Sequence, residues 1–509
     1  MASAAPLVAP SPSLTSPSEG GGTSFRILLA LAPYALVLVA VLQPGIDWDA
    51  WWHLRAGQWI VEHHSVPATD PFTIHGPQTP WVAYSWLFEG LLYGLYSALG
   101  LGGILLYQLV LALAVVAAFH RLVTRREPRF LWAIGLTCAA SVALSLLMKQ
   151  RSWMFTILFT TLTLDVILDL RRDRRNGWTW VLPGLYVLWA SIHIQFIYGL
   201  ALLGVAAVLP SPPHPFPSPP LRGRGEGVRG RRTLVRLTLF CALATLLNPY
   251  HLRLYAVVWE YATQPGPYRF LNELKAPEFR DITSWATLAL AAAAVFSLGR
   301  RRQLDPFDVL VLTGAAVLAF RARRDLWLLV LASTAVLACS GRAAVSEVDR
   351  FTWTRGRVLS LAVLVVLLAG LLWCARGLNE ERLQAAVQET FPVEAARVVR
   401  ERSYPGPLFN DYDWGGYLIW ALPEHPVSID GRSNLHGDER IQRSLDTWAG
   451  RPSWEDDPDL RAARLVIART DSPLTSLLLR DAEFERVHID PLATVFIRRS
   501  EPAAARHSP

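Results

Sequence analysis

The sequence predicts a mainly α-helical polytopic membrane protein with about eleven transmembrane helices and a C-terminal extracytoplasmic α/β domain. Three observations point there. Of 509 residues, 52% are hydrophobic and only 18% charged, whereas soluble domains keep about a quarter of their residues charged. Apolar runs of near-crossing length recur between Phe25 and Cys374, with short arginine clusters between them. Beyond Cys374 charged residues return, and short helix-like and strand-like patterns alternate. The formal charge of +7 sits mostly in the arginine clusters, which is how cytoplasmic membrane loops look, so no nucleic-acid partner is implied.

Residues 1–24 are rich in Ala, Pro, Ser and Gly and lack the basic start of a signal peptide, so a disordered cytoplasmic tail is expected before an uncleaved first span at 25–43. Residues 86–100 decide the topology. As a helix they reach only about 22 Å, short of roughly 30 Å of hydrocarbon. If they crossed, the clusters around Arg121–Arg129 and Arg171–Arg175 would both face outward, against the positive-inside bias. Residues 44–103 are therefore expected to form one outer loop that includes a helix lying on the membrane, its Trp and Tyr at headgroup depth. The same parity gives spans near 104–119, 130–147, 153–170, 178–192, 196–209, 233–247, 285–298, 307–320, 326–340 and 359–374. It places the Pro- and Arg-rich linker 210–232 in the cytoplasm.

The transmembrane part is thus expected at 25–375 and the α/β domain at 376–499, with 500–509 a disordered tail. In the α/β part, helices are expected at 393–402, 414–422, 439–448 and 474–480. Strands are expected at 406–411, 426–431, 463–469, 484–490 and 494–499. Cys138, Cys241, Cys339 and Cys374 lie in apolar runs without CxxC spacing or histidine companions, which supports neither a disulfide framework nor a zinc site. No glycine-rich nucleotide loop is present. No cofactor is implied, and a divalent metal finds no support.

Sorted by this topology, polar residues collect on the outer face. Asp47, Asp49, His53, Asp70 and Glu89 lie in the first loop, Lys149 and Arg151 at a span end, His193 at another, and Arg321, Arg323, Arg324 and Asp325 at a third. Arginine and lysine at membrane depth on the outer side break the positive-inside bias, and an uncompensated cation there is expensive. The arginines in these clusters suit a bound phosphate, and lipid phosphate or snorkelling offers a blander account. Asp47 and Asp49 could act as a general base, as a metal pair or as helix caps. His193 reads as a hydrogen-bonding residue at a span end. Asp430, Gly431 and Arg432 read as a turn or as an acceptor contact.

A first span followed by an acidic outer loop and an interfacial "WLFEGLLYGLYSALG" helix resembles the GT-C glycosyltransferases that use polyprenyl-phosphate sugars. The protein mannosyltransferases and lipid A aminoarabinose transferases belong to that group. The segments "DWDAWWHLRAGQWI", "VPATDPFT", "LYVLWASIHIQFIYGL", "LNPYHLRLY", "FRARRDLWLL" and "SIDGRSNLHG" resemble a bacterial branch of it. The resemblance implies a GT-C-like fold in the bacterial inner membrane, N-terminus in the cytoplasm. It also implies a polyprenyl-phosphate-linked sugar as donor, a glycan, lipid or protein acceptor, and contact with membrane lipids. By position, Asp49 or Asp47 would be the base. Lys149, Arg151, Arg321, Arg323 and Arg324 would hold the donor phosphate, with His53, Glu89 and His193 as further candidates. The Asp-Glu pair and the "KPP" segment of better-studied members are absent, and "TDPF" stands where the latter would be. A non-catalytic protein that binds or transports lipid-linked saccharide with the same fold is the competing expectation.

Overall fold

The computed structural model describes residues 26, 28–41, 45–210, 228–264, 268, 271–340 and 379–499. Helices stand at every expected span within those residues: α1 (Ala32–Val41), α4 (Leu101–Thr124), α5 (Phe130–Leu144), α6 (Trp153–Leu170), α7 (Leu182–Ile192), α8 (Phe196–Val208), α9 (Val228–Ala244), α11 (Ile282–Gly299), α12 (Pro306–Arg321) and α13 (Leu326–Ala338). The expected span at 359–374 lies outside the described residues, as do the tails at 1–24 and 500–509. Four described helices are long and apolar enough to cross a membrane by themselves. Most outward faces stay apolar, with large exposed side chains such as Trp132, Phe240, Phe296 and Val317. A soluble protein would not leave that much apolar surface in water.

The segment at 45–103 is more ordered than its polar sequence implies. It folds as α2 (Ala50–His63) and α3 (Trp86–Leu99), with α10 (Arg253–Thr263) between α9 and α11. Gly57 lets α2 and α3 approach closely, since a Cβ there would lie 2.1 Å from the Glu89 carbonyl oxygen. The tryptophans expected at headgroup depth are instead inside. Trp51 and Trp52 are 3% and 7% exposed. Trp51 meets the Phe391 and Tyr417 rings edge-on at 5.5 and 5.2 Å, and Trp48 meets Phe391 at 5.0 Å. The reason is that the C-terminal part covers the loop, so burial against protein replaces burial in lipid.

That C-terminal part begins with α14 (Glu380–Thr390) and α15 (Val393–Arg402). It continues through β1 (Leu408–Asn410), α16 (Gly415–Ala421), α17 (Ser433–Trp448), α18 (Pro458–Ala462), β2 (Leu465–Arg469), α19 (Pro473–Leu478), β3 (Phe484–Ile489) and β4 (Ala493–Arg498). The sheet order is β1-β2-β4-β3, with β1 parallel to β2 and the other pairs antiparallel. β2 is buried on both faces, as a central strand requires. The strand expected at 426–431 does not form. Val427 makes only isolated bridges to Leu408 and Thr73, because Asn410 ties this segment down through its side chain, taking hydrogen bonds from Ser428 and donating to the Ile429 carbonyl. One hydrophobic cluster runs from α1 through α2 and α16 to β4, and a smaller one lies against the sheet around Phe409, Trp448 and Phe496.

Two glycines of α3's neighbourhood give a contrasting pair of tests. Gly57→Ala drives a methyl into the α3 backbone and is expected to cost about 1–3 kcal/mol. Gly94→Ala meets nothing within 4 Å and should be neutral or stabilise by up to about 1 kcal/mol. Thermal unfolding in detergent reads both, and equal effects would refute the α2–α3 contact.

Candidate functional site

A polar cleft forms where α2, the loop before α3, the turns at residues 151–153 and 193, residues 271–274, Arg324 and residues 431–434 meet. Asp47 and Asp49 sit at the start of α2, but Asp49 does not cap the helix with its side chain. Instead its backbone N–H donates to Asp47 Oδ1 at 3.1 Å. Both carboxylates pair with the single guanidinium of Arg151. That guanidinium also stands 3.9 Å from Glu273, which in turn lies 3.7 Å from Arg324. The order along the cleft is aspartate pair, arginine, glutamate, arginine.

The turn that carries Arg151 is fixed by amide side chains. Gln150 donates to the Gly45 carbonyl at 3.0 Å and to Gln108 at 2.7 Å, and accepts the Asp47 N–H at 3.1 Å. Tyr107 donates to the Arg151 carbonyl at 2.8 Å. The "KQR" segment thus splits into three roles, with Lys149 exposed, Gln150 buried as a tie, and Arg151 in the cleft.

Burial sets the protonation of the cleft. It pushes the Asp49 carboxyl up to about 7, and although Arg151 pulls it down, Asp47 and Glu273 push it up further. Burial likewise takes Glu89 up to about 8, opposed only by Arg432. His53 Nδ1 lies 3.3 Å from Glu89 Oε1. Burial and the nearby Arg151 hold His53 well below its usual range, so the ring is neutral at pH 7. At the opposite wall His193 meets Thr156 at 2.9 Å, and Trp189 donates to the same hydroxyl at 2.9 Å.

The structure therefore brings Asp49, His53, Glu89, Arg151, His193 and Arg324 to one cleft, and Asp47 stands behind Arg151. It does not bring Lys149, Arg321 or Arg323 there. Lys149 is exposed, Arg321 lies over the Tyr268 ring at 4.2 Å, and Arg323 pairs with Asp281 at 3.3 Å. Successive residues at a helix junction cannot all face inward, and only Arg324 does. Glu273 and Tyr261 line the cleft without any signal in the sequence, and Tyr84 and Asn434 line it as well. Among the described residues no group of three or more His, Cys, Asp or Glu is arranged to hold a metal ion.

Arg432 closes the cleft from the C-terminal side. Its guanidinium, 2% exposed, donates to Asp70 Oδ1 at 2.8 Å and to both oxygens of Asp430 at 2.9 and 2.7 Å. It also stacks over the Trp81 ring at 4.6 Å. Burial alone would raise the Asp430 carboxyl, but Arg432 and His436 reverse this and hold it well below the usual carboxylate range. The intervening Gly431 backs onto the aspartate pair, and a Cβ there would lie 2.4 Å from Asp49 Oδ1.

Helical body, covering α/β part and first-loop cleft together make this a multi-pass membrane protein, and its fold is one shared with solved membrane glycosyltransferases. Among solved structures, the chain is similar to the archaeal oligosaccharyltransferase AglB from Archaeoglobus fulgidus in complex with an inhibitory peptide and a dolichol-phosphate. The TM-score is 0.57 and the identity 12%, over 89% of this chain and 70% of that one. It is also similar to the arabinofuranosyltransferase AftD from Mycobacteria, with a TM-score of 0.51 and 15% identity, over 93% of this chain and 41% of that one. At these identities the likeness is one of fold. No protein-family model matches the sequence, and no curated protein matches it.

Arg432→Met leaves Asp70 and Asp430 buried without their cation, and is expected to cost about 3–5 kcal/mol. Arg397→Ala, which breaks two exposed ion pairs on α15, should stay within about 0.5 kcal/mol. Unfolding midpoints of the two variants in the same detergent check the contrast.

Proposed function

We propose that the protein is an integral membrane glycosyltransferase that moves a sugar from a polyprenyl-phosphate donor to the hydroxyl of a glycan, lipid or protein acceptor. The reaction takes place on the outer face of the bacterial inner membrane, with the N-terminus in the cytoplasm. The observation that carries this reading is the cleft itself: a buried carboxylate, Asp49, set beside Arg151 with Arg324 one glutamate further on. Glycosyl transfer needs those two elements, a base for the acceptor proton and positive charge for the departing phosphate. The GT-C fold supports it, as does the dolichol-phosphate in the AglB complex.

In this reaction the acceptor oxygen bonds to the anomeric carbon as the bond from that carbon to the phosphate oxygen breaks. Asp49 takes the acceptor proton, and the lipid phosphate leaves with the electron pair toward Arg151 and Arg324. Asp47 keeps Arg151 in place. Glu273 meets both arginines only at long range and is 35% exposed, so a phosphate can displace it. The cleft as it stands leaves about 70 Å³ open, below the roughly 300 Å³ of small ligand pockets. Donor binding accordingly includes a movement of the 271–274 segment. Lys149, Arg321 and Arg323 have no part in this scheme.

A transfer assay in membranes with the cell's polyprenyl-phosphate sugars tests the assignment. Asp49→Asn should lower the rate by about a hundredfold or more, and Arg324→Ala by about a hundredfold. Because the base must be ionised, the rate should rise with pH through about 7. Asp47→Asn removes a charge that raises Asp49 and should move that midpoint downward. If Asp47→Asn and Asp49→Asn together leave the glycan product unchanged while Arg324→Ala abolishes it, the base assignment is wrong. The non-catalytic, saccharide-binding role then stands.

A further inference from the structure

Glu89 lies in the first turn of α3 and is 1% exposed. One carboxyl oxygen faces His53, while the other, Oε2, has no hydrogen-bonding partner. One helical turn earlier, Ser85 is 2% exposed and its hydroxyl is also without a partner. Both residues line the cleft that holds Asp49 and Arg324. Buried polar atoms of this kind are rare in folded proteins, because each forfeits its hydration without replacement. Two of them on one wall of one cleft point to a ligand that completes them.

The chemistry of the wall narrows that ligand. With His53 Nδ1 as the acceptor of the Glu89 Oε1 proton, Oε2 is left as an acceptor, and the serine hydroxyl can donate or accept. The matching group must carry O–H donors. A phosphate offers mainly acceptors, and a lipid chain offers neither. Aromatic rings line the same cleft, among them Trp52, Tyr84 and Trp153. Apolar rings next to isolated hydrogen-bonding groups suit a sugar ring with free hydroxyls.

We propose that Glu89 and Ser85, with Glu89 held by His53, form the subsite that reads the hydroxyl groups of the transferred sugar. This rests on the glycosyltransferase reading above and assigns its sugar-binding wall. Glu89 is a specificity residue here, distinct from the base and from the phosphate-binding arginines.

The full-length protein in nanodiscs, titrated with undecaprenyl phosphate and with its glucose, mannose, arabinofuranose and glucuronic acid esters, tests this. Wild type should bind at least one neutral ester about tenfold more tightly than the bare lipid phosphate. Glu89→Ala should remove that preference yet keep the affinity for undecaprenyl phosphate. Glu89→Gln, which retains an acceptor oxygen, should keep most of the preference. The subsite is overturned if Glu89→Ala leaves the preferred ester at wild-type affinity, or weakens bare undecaprenyl phosphate equally, as a folding defect would. It is also overturned if wild type binds the bare lipid phosphate but favours no neutral ester, and in that case the phosphate site survives. If wild type binds neither, the glycosyltransferase reading fails and takes the subsite with it.

Discussion

A guanidinium withdrawn from water must be met by carboxylates from whatever chain segments can reach it, and Arg432 is met by two that lie far apart in sequence. Asp430 is its near neighbour, but Asp70 is 362 residues away. The cost of burying Arg432 unpaired is large enough that the first outer loop and the C-terminal part are held to one relative position. Everything at the cleft follows from that lock. It sets Gly431 against Asp49, brings α16 over α2, and seals Trp51 and Trp52 between protein surfaces. The C-terminal part thus forms one wall of the cleft that the first loop opens.

The two ends of the helical body treat buried charge differently. At the end away from the cleft, Asp165 and Asp169 on α6 meet Arg121, Arg125 and Arg126, and Asn176 donates to both at 3.0 and 2.8 Å. Arg126, 1% exposed, sits between them. This network has few spare sites and reads as structural. In the cleft Glu273 is shared between two arginines at 3.9 and 3.7 Å, and Glu89 and Ser85 keep unused capacity. Incomplete satisfaction, not the mere presence of charge, separates a ligand-ready cluster from a structural one.

Hydropathy was enough to place the helices of the body among the described residues, since spans obey length and apolar composition. In the C-terminal part, alternation located α15, β1, α16, β2, β3 and β4 to within a few residues. It failed at 426–431, where apolar alternation is present but Asn410 side-chain bonds replace the ladder. The Asp49–Arg151 half of the cleft was visible because outward-facing cations are anomalous in a membrane protein. Which of Arg321, Arg323 and Arg324 turns inward was not, because it depends on the geometry of a single 3₁₀ turn. Glu273 was invisible for a plainer reason: a glutamate in a polar loop carries no periodicity and no anomaly.

Asp49 shows why the arrangement suits proton transfer. Pairing with Arg151 alone would lower the carboxyl and make it a poor base, yet burial, Asp47 and Glu273 outweigh the guanidinium and set it near neutrality. Its basicity thus hangs on a cation that the proposed reaction also draws upon. As charge grows on the departing phosphate, Arg151 divides its attraction between phosphate and aspartate, and the aspartate's hold on a proton strengthens. Donor binding has by then removed Glu273 from between the arginines, which acts the other way by taking a negative charge from beside Asp49. Sharing one arginine between base and leaving group therefore couples deprotonation of the acceptor to the presence of the donor.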